Sequence, residues 1–406
     1  MSENRAGVAF ALAAGAALFD EESCRRSGVK MLQLRAKLVD VWNKVKEKPS
    51  ALGVRPRAPS LDTDPPEPKL ARAGAEGERV SFEDVDGVTL RGLLLLPDRT
   101  PAPVLVMTHG FTLTWRQGLL PIARACREKG IAVLMYDHRG LGESDGDPRG
   151  GVDVWAQLRG YRRALAFLAR RAADVDPRRV ALFGYSLSGS EVLTLGALLE
   201  ARVAVDRLAI VAVSPGPIRA PARASARERF EELAEEFDAR VMQCDPSARA
   251  RARRPAAMSS PLPVVRAQRP LAQGERERTW FGGPIGGGED ARLFFQRRGG
   301  PRSAWLNTAL IAEEGFPDWD CAVRRVTAPT LLLAARDDAT TPFASSLRLF
   351  EALSASRCAL HIIERGGHFG VFDTPMTDDD EPALYPEEVV AATGAIADFL
   401  ASVLFD

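Results

Sequence analysis

Histidine is scarce in this 406-residue chain, which has four. They stand at positions 109, 138, 361 and 368, with no His-x-x-x-His pair and no Cys/His cluster. That pattern offers no zinc site, and no metal is expected. Five cysteines (Cys24, Cys126, Cys244, Cys321 and Cys358) include no Cys-x-x-Cys pair. An odd, dispersed set reads as reduced thiols in a reducing, cytoplasmic setting. Lysine does not recur after Lys129, which excludes Schiff-base chemistry from the rest of the chain. Net charge is also lacking, since 54 basic residues balance 54 acidic ones. A neutral chain has no global field with which to capture nucleic acid or an anionic membrane. Residues 7–19 are apolar but fall short of the roughly 20 residues that span a bilayer. They read as a packed helix rather than a signal peptide, and no stable membrane insertion is expected.

What is present divides the chain into five stretches. In residues 1–48, Met31, Leu34, Leu38, Val41, Trp42 and Val45 recur at three- and four-residue spacing, with lysines between them. This predicts an N-terminal helical extension whose apolar stripe docks on the protein itself or on a second subunit, making a homo-oligomer. Residues 49–76 carry Pro56, Pro59, Pro65, Pro66 and Pro68 and read as a linker or surface strap. From residue 77 to 214, buried-type strands alternate with helices. The alternation resumes over 327–406, with strands at 330–334 and 358–363 and a closing helix at 386–405. A hairpin opens this region, turning at Asp86-Gly87. Continuous apolar strands alternating with helices predict an α/β fold with a mostly parallel central sheet flanked by helices. Residues 215–326 break the pattern and read as an inserted lid over the carboxyl ends of the strands. Their Gly282 to Gly288 run lacks the lysine and serine or threonine of a phosphate loop, so no nucleotide or other cofactor is expected.

The chemistry centres on Gly184-Tyr-Ser-Leu-Ser-Gly189. A serine between small residues at a strand-to-helix junction is the pattern of a nucleophile elbow, with Ser186 exposed above the sheet. The NH of Leu187, at the helix start, would point at a developing oxyanion. A serine hydroxyl needs a base. His361 sits inside an apolar strand and reads as structural, while His109 and His138 follow earlier strands. His368 lies in the flexible Arg365-Gly-Gly-His-Phe-Gly370 loop after a late strand and is the expected base. The acid that orients it is sought in Ala334-Ala-Arg-Asp-Asp-Ala-Thr-Thr-Pro342, where Asp337 and Asp338 compete. A second oxyanion donor is expected from Phe111, with Gly110 taking an unusual backbone angle to turn that NH inward. Asp137, Arg139 and Glu143, in the glycine-rich loop of residues 137–144, read as loop buttresses rather than as paired catalytic acids.

Together His109-Gly-Phe111, Asp137-His-Arg-Gly-Leu-Gly-Glu-Ser144, Gly184-Tyr-Ser-Leu-Ser188, Arg336-Asp-Asp338 and Gly367-His368 resemble the α/β-hydrolase superfamily over residues 77–405. Within it the chain is most similar to the X-Pro dipeptidyl-peptidase-like and polyketide-transferase-like groups. Those families place the acid four residues before a proline, which implies Asp338, since Pro342 follows. The resemblance implies a serine hydrolase cleaving an ester or thioester of a small-molecule, free or carrier-bound acyl substrate through an acyl-enzyme. Acyl transfer to an alcohol or amine and peptide cleavage are the alternatives, and a non-enzymatic scaffold is the least favoured. Two features depart from the pattern. Ser188 stands where the elbow usually ends in glycine, and Trp115-Arg116 replaces the lysine–glutamate pair of similar transferases.

Overall fold

The computed structural model describes residues 77–84, 87–111, 113–147, 149–202, 205–216, 322–353, 357–375 and 382–405. It also describes the short stretches 262–263, 293–294, 297–298 and 305–306. The expected helical extension and linker (residues 1–76), and most of the expected lid, lie outside the described residues.

The described chain builds one large sheet. Strands β1 (Glu78–Glu83) and β2 (Thr89–Leu95) form the expected hairpin, pairing antiparallel. They are followed by β3 (Ala102–Thr108), helix α1 (Leu119–Glu128), β4 (Ala132–Tyr136) and α2 (Val154–Ala169). Next come β5 (Val175–Tyr185), α3 (Leu187–Arg202) and β6 (Arg207–Val213). A separate two-stranded ladder joins β7 (Leu262–Pro263) to β8 (Trp305–Leu306). The chain closes with β9 (Thr330–Ala335), α4 (Phe343–Ala352), β10 (Cys358–Ile363) and α5 (Pro386–Phe405). The sheet order is β1-β2-β4-β3-β5-β6-β9-β10, antiparallel at β1/β2 and β2/β4 and parallel from there on.

Burial explains the strand sequences. All of β3, β4 and β9 is buried, and these strands carry unbroken apolar runs because helices cover both faces. At the two edges, β1 alternates and β10 is mostly half-exposed. Strand β5 starts before its apolar core because Val175 pairs with Ala102, after which the register shifts. Helix α2 begins where Asp153 caps it, accepting from the backbone NH groups of Trp155 (3.0 Å) and Ala156 (3.1 Å). Its Trp155, Leu158, Tyr161, Leu165 and Leu168 face the core. Among the described residues, α5 is the one helix long and apolar enough to cross a membrane by length and composition. One of its faces is buried at Ala392, Ile396, Leu400 and Leu404.

Connectivity places the site. The chain leaves β3 for β4 on one side, and later enters β5 on the other side of β3. This is a topological switch point, where the loops after neighbouring strands diverge and leave a crevice at their carboxyl ends. The 109–111 loop follows β3 there, and Ser186 follows β5.

Candidate active site

Ser186 occupies the left-handed backbone region (φ 57°), where a non-glycine residue is strained. The surroundings enforce this. The Ser186 NH donates to Val213 O at 2.8 Å, and its carbonyl accepts from Gly189 at 3.0 Å and Gly216 at 3.2 Å. The turn is so tight that a Cβ added to Gly184 would lie 1.9 Å from Ser188 O. Helix α3 starts at Leu187, so the Leu187 NH is one of the unsatisfied donors of a helix N-terminus.

Gly110 is required for a different reason from the one expected. It is not among the residues with positive φ. Its need is space, because an added Cβ would lie 2.7 Å from Ser186 Cβ and 3.1 Å from Leu187 N. The absence of a side chain at Gly110 lets the loop after β3 lie against the elbow.

The structure brings Ser186, His368 and Asp338 together. His368 Nε2 lies 3.0 Å from Ser186 Oγ, and His368 Nδ1 lies 2.7 Å from Asp338 Oδ2. All three residues are buried. Asp338 also accepts from the NH groups of Thr340 (2.8 Å) and Thr341 (2.7 Å) and from the Thr341 hydroxyl (2.8 Å). Burial pushes its carboxyl up, but the facing His368 and the hydrogen bonds from His368 and Thr341 outweigh that. The net pKa is below the usual aspartate value, which keeps Asp338 an acceptor.

Asp337 points elsewhere. Its two oxygens accept from the NH groups of Gly366 (3.0 Å) and Gly367 (2.8 Å) and fasten the loop that carries His368. Tyr185, beside the nucleophile in sequence, donates from its hydroxyl to His368 O at 2.9 Å. Neither this tether nor the Thr341 hydroxyl was visible in the sequence.

The glycine-rich loop after β4 serves as a buttress. Asp137 accepts from the NH groups of Trp115 and Glu143, each at 2.9 Å. Glu143 pairs with Arg116 and Arg79, and Arg139 lies 3.5 Å from Asp84. Arg116 also stacks over Trp115 at 4.8 Å, so the Trp115-Arg116 pair knits this loop together. His109 and His138 are fully buried, which drives each down to about 3 and leaves it neutral. His361 lies half-buried in edge strand β10. From the expected lid, Phe294 stacks on Phe369 at 4.8 Å. Arg298 Nε lies 2.9 Å from buried Asp373. Among the described residues no group of His, Cys, Asp and Glu could hold a metal ion.

Residues 105–384 match the model of the Alpha/beta hydrolase family. The chain belongs to that family. It is 38% identical over 141 residues to a thiohydrolase of Arthrinium phaeospermum, covering 35% of this chain and 44% of that protein. It is 35% identical over 165 residues to a polyketide transferase of Stachybotrys chlorohalonatus, covering 39% and 53%. The chain spans about half the length of the curated relatives it matches. The crystal structure of alpha/beta hydrolase GrgF from Penicillium sp. sh18 superposes with a TM-score of 0.56 at 25% identity. That match covers 81% of this chain and 99% of the other.

Proposed function

We propose that this alpha/beta hydrolase cleaves an ester or thioester through an acyl-enzyme on Ser186. One observation carries the reading: a single imidazole bridges the Ser186 hydroxyl and the Asp338 carboxylate, at 3.0 Å and 2.7 Å. In the proposed cycle His368 Nε2 takes the Ser186 proton as Oγ attacks the substrate carbonyl. Asp338 fixes the tautomer that leaves Nε2 free to accept, and stabilises the imidazolium once formed. The NH groups of Leu187 and Phe111 hold the oxyanion, each such donor supplying about 3 kcal/mol of transition-state stabilisation. His368 then returns its proton to the leaving alcohol or thiol as the carbon–oxygen or carbon–sulfur bond breaks. Water, deprotonated by the same imidazole, hydrolyses the acyl-serine and regenerates the free hydroxyl.

An ester or thioester is preferred to an amide because its leaving group needs less protonation. The thiohydrolase relatives support the thioester. A second reading, transfer of the acyl group to an alcohol or amine, is favoured by relatives named polyketide transferases at comparable identity. The stacking of Phe294 on Phe369 and the pairing of Arg298 with Asp373 support a cap over the site that would exclude competing water. The acyl donor is a small molecule, free or carrier-bound.

Intact-mass measurement with a panel of acyl thioesters and esters tests the proposal. Wild type should gain one acyl mass, and Ser186→Ala none. Equal acylation of both proteins would refute the serine nucleophile. Added alcohol or amine capturing the acyl group ahead of water would select transfer over hydrolysis.

A further inference from the structure

A second polar cluster lies beneath the elbow and takes no part in the triad. Ser188 Oγ reaches three groups: the backbone oxygen of His109, Glu191 Oε2 at 2.8 Å and His138 Nε2 at 3.1 Å. His138 Nε2 also lies 3.6 Å from Glu191 Oε2. Ser188, His138 and Glu191 are all buried, the first and last completely. Glu191 Oε1 and His138 Nδ1 have no hydrogen-bond partner among the described residues.

Counting protons assigns the forms. A hydroxyl has one proton to give and two lone pairs with which to accept. The His109 carbonyl can only accept, so the Ser188 proton goes there. Glu191 Oε2, at 2.8 Å from the same hydroxyl oxygen, must then bring a proton of its own. The remaining lone pair of Ser188 faces two donors, His138 Nε2–H and the Tyr161 hydroxyl. An ionised carboxylate would instead set lone pair against lone pair, with its other oxygen buried and unpaired, which is costly. Burial favours the same assignment, raising Glu191 to about 8 and lowering His138 to about 3.

We propose that Glu191 is a positioning residue whose protonated carboxyl, acting through Ser188, holds the 109–111 loop against the elbow and so places the second oxyanion donor. This rests on the serine-nucleophile reading above. It also gives a use to Ser188, which departs from the usual glycine of the elbow. The ionisable groups facing Glu191 are His138 after β4, Tyr136 at the end of β4, Tyr161 on α2 and Asp153 at the α2 N-terminus. The tyrosines are held neutral by burial, and the Asp153 charge further disfavours ionised Glu191. When Glu191 loses its proton, the Ser188 hydroxyl turns to the carboxylate and releases His109 O. The loop then loses this hydrogen-bonded tie to α3, and acyl transfer slows on the alkaline side, where a serine triad alone would stay at its plateau.

The test follows the rate at which a fluorophosphonate probe labels Ser186 from pH 6 to 10, with each variant compared with itself at pH 7. Wild type should fall by about tenfold or more toward pH 10, a part of what losing a whole oxyanion donor costs. Glu191→Gln donates at every pH and should show no alkaline fall. Ser188→Ala should also lack the fall, because its link is already cut. A flat wild-type profile, or the same fall in wild type and Glu191→Gln, overturns the proposal. Infrared difference spectra of wild type between pH 7 and 10 add a readout independent of any variant's folding. A buried carboxylic-acid band lost at high pH is expected, and its absence overturns the assignment. Failure of wild type to label at any pH refutes the serine nucleophile instead, and the infrared band still decides the state of Glu191.

Discussion

Two neighbouring aspartates do different work here. Asp338 faces the imidazole at 2.7 Å, whereas Asp337 accepts two backbone NH groups that fasten the histidine loop. An amide at 338 presents either the wrong donor or the wrong tautomer to His368. Asp338→Asn should therefore lower kcat/KM on any ester substrate by about 10³–10⁴. Asp337→Asn keeps one acceptor for the loop and should cost about tenfold or less, with imidazole geometry preserved. The reverse order of losses, measured on one substrate, would exchange the two roles. Composition could not separate these residues, because strand geometry decides which carboxylate turns toward the histidine. The identity of residues was enough for Ser186 and His368, since an elbow needs small neighbours and only one histidine follows a late strand in a glycine loop. It was not enough for Ser188, Glu191 and His138. They meet only because the loop after β4 packs beside α3, 50 residues along the chain from Ser188.

At the level of elements, the sheet was legible because its central strands are buried on both faces and must be apolar throughout. The polar start of β5, Asp176-Pro-Arg-Arg179, hid the first half of that strand, which is fixed by pairing of Val175 with Ala102. Gly110 was legible as necessary but not as to cause: crowding by Ser186 and Leu187, not a left-handed angle, demands it. Helix α2 owes its start to the Asp153 cap. Asp153→Ala leaves two NH donors without that acceptor and should destabilise the folded chain by about 1 kcal/mol in urea denaturation. A change near zero would mean that packing of Trp155 and Leu158 alone fixes the helix start.

For the molecule as a whole, buried ionisable groups set opposing pH slopes. His109 and His138 are neutral in the fold, each near 3, while free histidine titrates near 6.5. The unfolded chain therefore binds more protons between those values, and stability falls as pH drops from 6.5 toward 3. Glu191 acts in the other direction. Its folded value of about 8 exceeds the ordinary 4.5, so its contribution is full below 4.5 and is lost as pH rises through 8. Between pH 6.5 and 8 the Glu191 slope dominates. Wild type should lose up to about 2 kcal/mol there, and Glu191→Gln should not, as read from denaturant midpoints. Ser186, His368 and Asp338 meet at the switch point of the sheet. Peptide mapping after fluorophosphonate treatment reads out whether the three act together. One phosphonyl group per chain is expected, on Ser186, absent in Ser186→Ala and formed at least about a hundredfold more slowly in His368→Ala. Labelling at another residue, or labelling of Ser186 at an undiminished rate without the His368 imidazole, would contradict it.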